Sequence, residues 1–466
     1  IVRAKRKDGK IEVKVRNVGQ VDGPIEVNLI QGDTVAQTRW AEPRNKTSVV
    51  VFDDMDFEKI VIDYSKDIPE LNRQNNTVSA KGLFKKLEPF RFEFGSGDNE
   101  AETSNIFWTP VLGGNYYDRF MIGAAFHNYG ISFGKVNYIV APLFSFGRKM
   151  VSGMGELSIT KQPKGVFKSS KFGVSLKSFK HDTTYRNNES FFVTVSPFWQ
   201  AKIGSRNGAD KPYYQTIRVQ GLYRKDKFGP THIDHVGGFA AYNFDLIKPD
   251  HKFHAQVRND FITNANITNG VGRIRIEAEY KFRYIKRKQE RWVELRAFYG
   301  NQYYSDFNTN GAPPGHYSGY QYSMSLSGTD GQQDIFTEDY FLGRNNIQGL
   351  WSQQRSENMG GFRSTSYYGT TDRWLASGNL WMQLPYIPKF FGIFADVGAF
   401  DNGTSIESAI NTGVGINITN TFGLYFPIWM SKELKDSFGN SGYGSKIRLT
   451  LNINIFKKPL SLKELM

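Results

Sequence analysis

Cysteine is absent from the 466 residues. That removes any CxxC chemistry, and it fits a chain exported through an oxidising periplasm. Long apolar runs are missing as well. No stretch of about 18 uncharged apolar residues occurs, so a membrane-spanning helix is excluded. The chain contains no HExxH, no GxSxG and no P-loop, which leaves the commonest zinc, serine and nucleotide chemistries without a carrier. Its first residues, "IVRAKRKDGK", lack a starting Met and the apolar core of a signal peptide. They read as the start of a processed piece whose true N-terminus lies upstream.

Basic residues are abundant, with 59 Lys and Arg against 45 Asp and Glu. They alternate with acids along the chain and form no basic tail, so nucleic acid is not expected as a partner. Aromatics make up 15% of residues, and glycines number 46 against 17 prolines. The mean hydropathy of −0.47 ordinarily argues for a soluble protein. Transmembrane barrels escape that argument, because only alternate residues face lipid.

The stretch "GRIRIEAEYKFRY", residues 272–284, shows the pattern best. Ile274, Ile276, Ala278, Tyr280, Phe282 and Tyr284 alternate with Arg273, Arg275, Glu277, Glu279, Lys281 and Arg283. A period of two makes this a β-strand with one apolar and one charged face. "RWVELRAFYG" repeats it, with Glu294 and Arg296 on the charged side, and so does "KIRLTLNINIF" near the end. Roughly fifteen such segments recur between residues 105 and 457, each near the ~10-residue length of a tilted transmembrane strand. Tyr213, Tyr214, Trp199, Tyr303, Tyr304, Trp374 and Trp429 stand near strand ends, the composition of an interfacial girdle.

The expected fold is therefore all-β: a transmembrane antiparallel up-and-down barrel of 14 or 16 strands over residues 105–457. Residues 1–66 read as a small immunoglobulin-like β-sandwich before it, because "KIEVKVRNVG" and "PIEVNLIQGD" alternate like a hairpin. Residues 67–104 form a linker that leads into the barrel or plugs it, and 458–466 a C-terminal tail. Residues 330–371 break the rhythm. Their Trp351, Phe362 and Gly360–Gly361 argue for an ordered loop, either capping the barrel outside or inserted into its lumen.

Catalytic and metal sites find no support. His232 and His235, like His251 and His254, are three residues apart, a spacing that sends them to opposite faces of a strand; His127, His181 and His316 are isolated in the sequence. Glu277 and Glu279 share a face, but among Arg275, Lys281 and Arg283 they suit ion pairing better than acid–base work, with Glu294 and Arg296 as cross-strand partners. The charged wall of Arg273, Arg275, Glu277, Glu279, Lys281, Arg283, Glu294 and Arg296 then lines the lumen, either as an open channel or as a salt-bridged interior. Its mixed signs favour the second.

Two family resemblances add to this. "VRNVGQVDGPIEVNLIQGD", Trp40 and "VIDYSKDIPELNRQNN" resemble the β-sandwich that follows the catalytic domain of M1-type (gluzincin) zinc aminopeptidases. The likeness is to membrane-associated forms of Bacteroidetes-type bacteria, and "FWTPVLGGNYYDRFMIGAAFHN" is similar to the start of their barrel-like tail. This implies a zinc peptidase domain upstream and a barrel that anchors and docks it. No cofactor, catalytic or zinc-binding residue falls within the present chain. "GGFRSTSYYGTTDRWLASGNLWMQLP", "FFGIFADVGAF" and "NTGVGINITNTFGLYFPIWMS" resemble the closing strands of Omp85-type surface-antigen barrels. That family sends a loop with an Arg-Gly-aromatic motif into the lumen. Here the order is Gly361-Phe362-Arg363, and Asp396 matches the family's Phe-x-Asp-x-Gly pattern, which makes Arg363 and Asp396 candidate lumen-loop contacts. This second resemblance implies a subunit of an outer-membrane assembly or translocation machine. A transport channel is the third reading. All three imply a Gram-negative outer membrane, with its lipid and other outer-membrane proteins as partners.

Overall fold

The computed structural model describes residues 1–452 apart from 18–22, 43–46, 69–72, 74, 82–89, 98–102, 130–134, 164, 183–189, 205–211, 267–268, 286–289, 307–319 and 419–420. Two compact units result: Ile1–Thr109 with Phe126–Gly134, and Pro110–Ala125 with Lys135–Met466.

In the first unit, alternating apolar residues fold two small antiparallel sheets face to face. Arg3–Lys7, Lys10–Arg16 and Thr47–Asp53 make one; Thr34–Ala41, Ile25–Gln31, Lys59–Ile62 and Thr77–Ser79 make the other. Asp8 and Gly9 turn the first hairpin with φ of 51° and 67°, the left-handed pair that a tight two-residue turn requires. Ile11, Val13, Val15, Val27, Leu29, Phe52 and Ile60 form the core between the sheets. The sandwich does not stop at residue 66. Thr77–Ser79 pairs with Lys59–Ile62 and buries Val78; three residues are too few for alternation to reveal a strand. Farther on, Phe90–Phe94 runs parallel to Ser104–Trp108.

Among the described residues the large sheet has seventeen strands. Phe90–Phe94 is one of them; the other sixteen follow in chain order from Ser104–Asn115 to Arg448–Leu451. From Val136–Ser145 onward each strand pairs antiparallel with the next. The expected all-β barrel is what the described residues form, with the parallel strand Phe90–Phe94 added to it. Thr231–Ile247 and Asn269–Ile285 have 17 residues each, more than the ~9–11 that cross the hydrocarbon. No helix among the described residues is long and apolar enough to cross a membrane; strands do the crossing in this fold.

The two faces of the sheet are inverted relative to a water-soluble protein. Val219, Tyr223, Val257, Ile276, Tyr280, Leu295 and Tyr299 are each at least 40% exposed, while Gln220, Arg224, Arg258, Asp260, Arg273 and Arg296 on the same strands are at most 9% exposed. Charged groups are seldom buried unless paired. Here the apolar side faces outward and the charged side inward, which is the arrangement of a transmembrane β-barrel. Tyr214, Tyr303, Tyr304 and Trp429 stand exposed near strand ends.

Something must satisfy the inward charges. Arg291–Ser305 and Trp374–Gln383 pair directly with each other, and the long insertion between them turns inward. Tyr322 to Thr329 are all buried, and Met324–Ser325 pairs with Thr370–Thr371 to brace the insertion. Its Leu342 carbonyl accepts from the Tyr116 N–H at 2.8 Å, while its Arg355 N–H donates to Leu449 O at 2.9 Å. Tyr116 and Leu449 lie near opposite ends of the strand series, so the sheet curls around the insertion.

Candidate functional site

The inward face is built strand by strand from residues two apart. Arg258 and Asp260 both point inward, and the register sets Arg273 opposite Asp260 and Arg275 opposite Arg258. Asp260 thereby meets three guanidiniums: Arg258 Nε at 2.6 Å, Arg273 Nε at 3.0 Å and Arg275 Nε at 2.8 Å. One carboxylate cannot neutralise three cations, and the inserted segment supplies another. Glu338 pairs with Arg258 Nη1 at 2.7 Å, and that guanidinium also lies over the rings of Phe239 (3.6 Å) and Phe336 (5.0 Å).

On the neighbouring strand Arg296 forks onto Glu277, with both contacts at 2.9 Å, and donates to Asn379 Oδ1 at 3.0 Å. Glu279 lies 3.9 Å from Arg296, and Lys281 pairs with Glu294 at 2.6 Å. Arg283 stands apart near the strand end, held by Glu290 at 2.6 Å and Asp250 at 3.3 Å. Of the eight charged wall residues, Arg275, Glu277, Glu279 and Glu294 line a lumen cavity of about 630 Å³. Lys171, Lys177 and Arg218 line it from another sector of the wall, with Glu338 and Glu357 of the inserted segment.

Arg363 and Asp396 form a buried seat of the segment. Asp396 is fully buried and accepts from Arg363 twice, from Nη1 at 2.7 Å and from the backbone N–H at 2.6 Å. Asn379 Nδ2 (3.0 Å) and Asn411 Nδ2 (3.3 Å) complete the shell of the carboxylate. The guanidinium sits within 6 Å of the rings of Trp381, Phe394 and Tyr425. Close approach depends on the preceding glycines. A Cβ on Gly360 would meet the Leu326 backbone at 2.3 Å, and one on Gly361, whose φ is +65°, would meet Arg296 Nη1 at 2.7 Å. Arg448 donates to the carbonyls of Phe362 and Ser356, and Tyr425 Oη donates to Glu357 at 2.6 Å. Burial alone would raise the Glu357 carboxyl, but Arg363, Arg448 and the Tyr425 hydrogen bond outweigh it and hold it below its usual range.

A second attachment point gathers two histidines around Asp226. His235 Nε2 lies 3.2 Å from one carboxylate oxygen, and Arg224 Nη2 (2.8 Å) and His181 Nε2 (3.7 Å) approach the other. Both rings also reach the segment: His235 Nδ1 meets Tyr322 Oη at 3.1 Å and His181 Nδ1 meets Asn345 Nδ2 at 2.6 Å. Burial pushes the His181 imidazole down to about 4, against the attraction of Asp226. The other histidine pairs stay unassembled. His254 bonds Asp245 at 2.7 Å, His232 lies 3.6 Å from Asp234, and His316 is outside the described residues. No cluster of three potential metal ligands occurs among the described residues.

Arg448 was read only as a polar-face residue of "KIRLTLNINIF", and Arg258, Asp260 and Asp226 were not singled out by sequence reasoning. Their spacing of two in "QVRNDFIT" and "YRKDKF" was the available signal, but their partners depend on strand register and on the inserted segment. Taken together, the fold and lumen define a transmembrane β-barrel whose interior is occupied by a long inter-strand segment held by ion pairs. No protein-family model matches the chain, and no curated protein matches it. Among solved structures it is similar to CdiB from Acinetobacter baumannii, at 9% identity and a TM-score of 0.33, covering 72% of this chain and 61% of that one. BamA from Haemophilus ducreyi lacking POTRA domains 1–3 matches at 8% identity and a TM-score of 0.35, covering 70% and 69%. The P pilus usher (PapC) translocation pore matches at 8% identity and a TM-score of 0.19, covering 89% and 74%.

Proposed function

We propose that the chain is an outer-membrane β-barrel of a Gram-negative bacterium that works in the assembly or translocation of other polypeptides, alongside other outer-membrane proteins. The observation that carries this reading is the ion-paired segment inside the lumen, with a polar cavity left beside it. A passive diffusion pore keeps an open aqueous path, whereas this lumen holds a covalently tethered element seated on Arg363 and Asp396. A tethered plug suits a barrel that opens only when engaged. Planar-bilayer recording tests it. The wild type is expected to stay almost silent, and Asp396→Asn to flicker open as the seat weakens. A steady, solute-selective current from the wild type would establish the transport-channel reading instead. Cross-linking followed by affinity isolation from membranes is expected to recover other outer-membrane proteins, and recovery of the chain alone counts against the assembly role.

A second reading is a scaffold for an upstream M1-like zinc peptidase. The N-terminal sandwich with its own core favours it, since an independent module suits docking of a further domain. Zinc would belong to that domain alone. An HExxH in the residues preceding Ile1 is the decisive observation.

A further inference from the structure

The register of the N-terminal sandwich sets like charges against each other. On the outer face of the three-stranded sheet, Arg3 lies directly opposite Lys14 and Lys7 directly opposite Lys10. Lys5 faces Glu12. The third strand adds Val49 opposite Lys14, Val51 opposite Glu12 and Asp53 opposite Lys10. Asp53 is already engaged by Arg39 at 3.5 Å. The five basic side chains are exposed, and Val49 and Val51 stay 58% and 43% exposed beside them. Directly opposed like charges destabilise a strand pair; Lys5–Glu12 separates the two such pairs and Asp53 faces Lys10, which still leaves five basic groups against two acids on this face.

We propose that this sheet face docks on a bilayer surface rich in anionic phospholipid. A row of ammonium and guanidinium groups complements phosphate headgroups, each cation gaining from the negative surface potential. Adjacent exposed aliphatic side chains match the boundary below the headgroups. An acidic protein would supply the charge but has no need of the valines beside the cations. The barrel on the same chain keeps the sandwich within reach of a membrane, and in this respect the inference rests on the membrane reading.

The test uses the full chain reconstituted in nanodiscs of phosphatidylcholine alone or with phosphatidylglycerol. Lysines are labelled with an amine-reactive reagent and read by mass spectrometry. Labelling of Lys5, Lys10 and Lys14 is expected to fall several-fold in anionic discs only, and to recover in high salt. Lys59, on the other sheet, serves as the control and should not change. Equal labelling in the two lipids overturns the proposal, and so does equal protection in both, which would mean that the face is covered by protein. A Lys5→Glu/Lys10→Glu/Lys14→Glu variant, assayed by sedimentation of its discs with anionic vesicles, should lose the lipid dependence; retention overturns the proposal too. Heat-modifiable migration in SDS reports the barrel separately, so failure of the membrane reading and failure of this inference give different results.

Discussion

Arg363 binds Asp396 through both its side chain and its own backbone: Nη1 reaches Oδ1 at 2.7 Å and the N–H reaches Oδ2 at 2.6 Å. The inserted segment is thus fixed to the strand Phe391–Asp401 in position and in direction, since a side-chain contact alone would leave the backbone free to rotate about it.

Removing one member of that pair leaves a charge buried. Arg363→Ala and Asp396→Ala are each expected to cost about 3–5 kcal/mol of stability, while the double variant costs less than the sum. The midpoint of urea unfolding in detergent, followed by tryptophan fluorescence, measures this. Additive losses would show that the two groups do not act on each other.

Gly361→Ala places a methyl group within contact distance of Arg296 and strains a left-handed backbone position. The expected result is a barrel that still migrates as a folded species before boiling but whose segment between 320 and 373 is cut by protease much faster than in the wild type. Unchanged protection would show that the segment tolerates displacement at this point.

The face meeting lipid can be probed by charge. Ile276→Arg on the outward side should lower the stability of the vesicle-inserted barrel by about 2–4 kcal/mol if the residue sits near the bilayer midplane. The same change at exposed Val35 of the sandwich should have little effect. Equal effects at both positions would argue against lipid contact along Asn269–Ile285.

Acid should loosen the segment. His181 stays neutral in the folded protein down to about pH 4, whereas the unfolded chain takes up that proton near pH 6.5. Between those values the unfolded state binds more protons, so stability falls as the pH drops, by up to about 3 kcal/mol from this residue. Unfolding midpoints at pH 7.5, 6 and 5 check it. His181→Gln should flatten the dependence in that window, and an unaltered slope would assign the effect elsewhere.

The barrel fold was legible in the sequence because alternation is local: Ile276 and Tyr280 point outward, and Arg273 and Arg275 inward, by the period of two alone. Phe90–Phe94 was legible only as a barrel-entry or plug element within 67–104, since a five-residue strand pairing in parallel leaves no turn signal. Inside the lumen the limit was distance along the chain. Asp260 is explained by Arg273 only when the next strand's register is known, and Lys177 meets the Thr337 carbonyl across 160 positions. Spacing within one strand carries no information about such partners.

The locks on the inserted segment also impose an order in time. They come from residues synthesised long before it, such as Lys177 and Arg224, and from residues synthesised after it, such as Asp396, Tyr425 and Arg448. Because its flanking strands pair with each other, the ladder can extend to its last strand while the segment still hangs outside. Complete seating therefore needs the last strand: until Arg448 is in place, the Phe362 and Ser356 carbonyls lack their guanidinium donor.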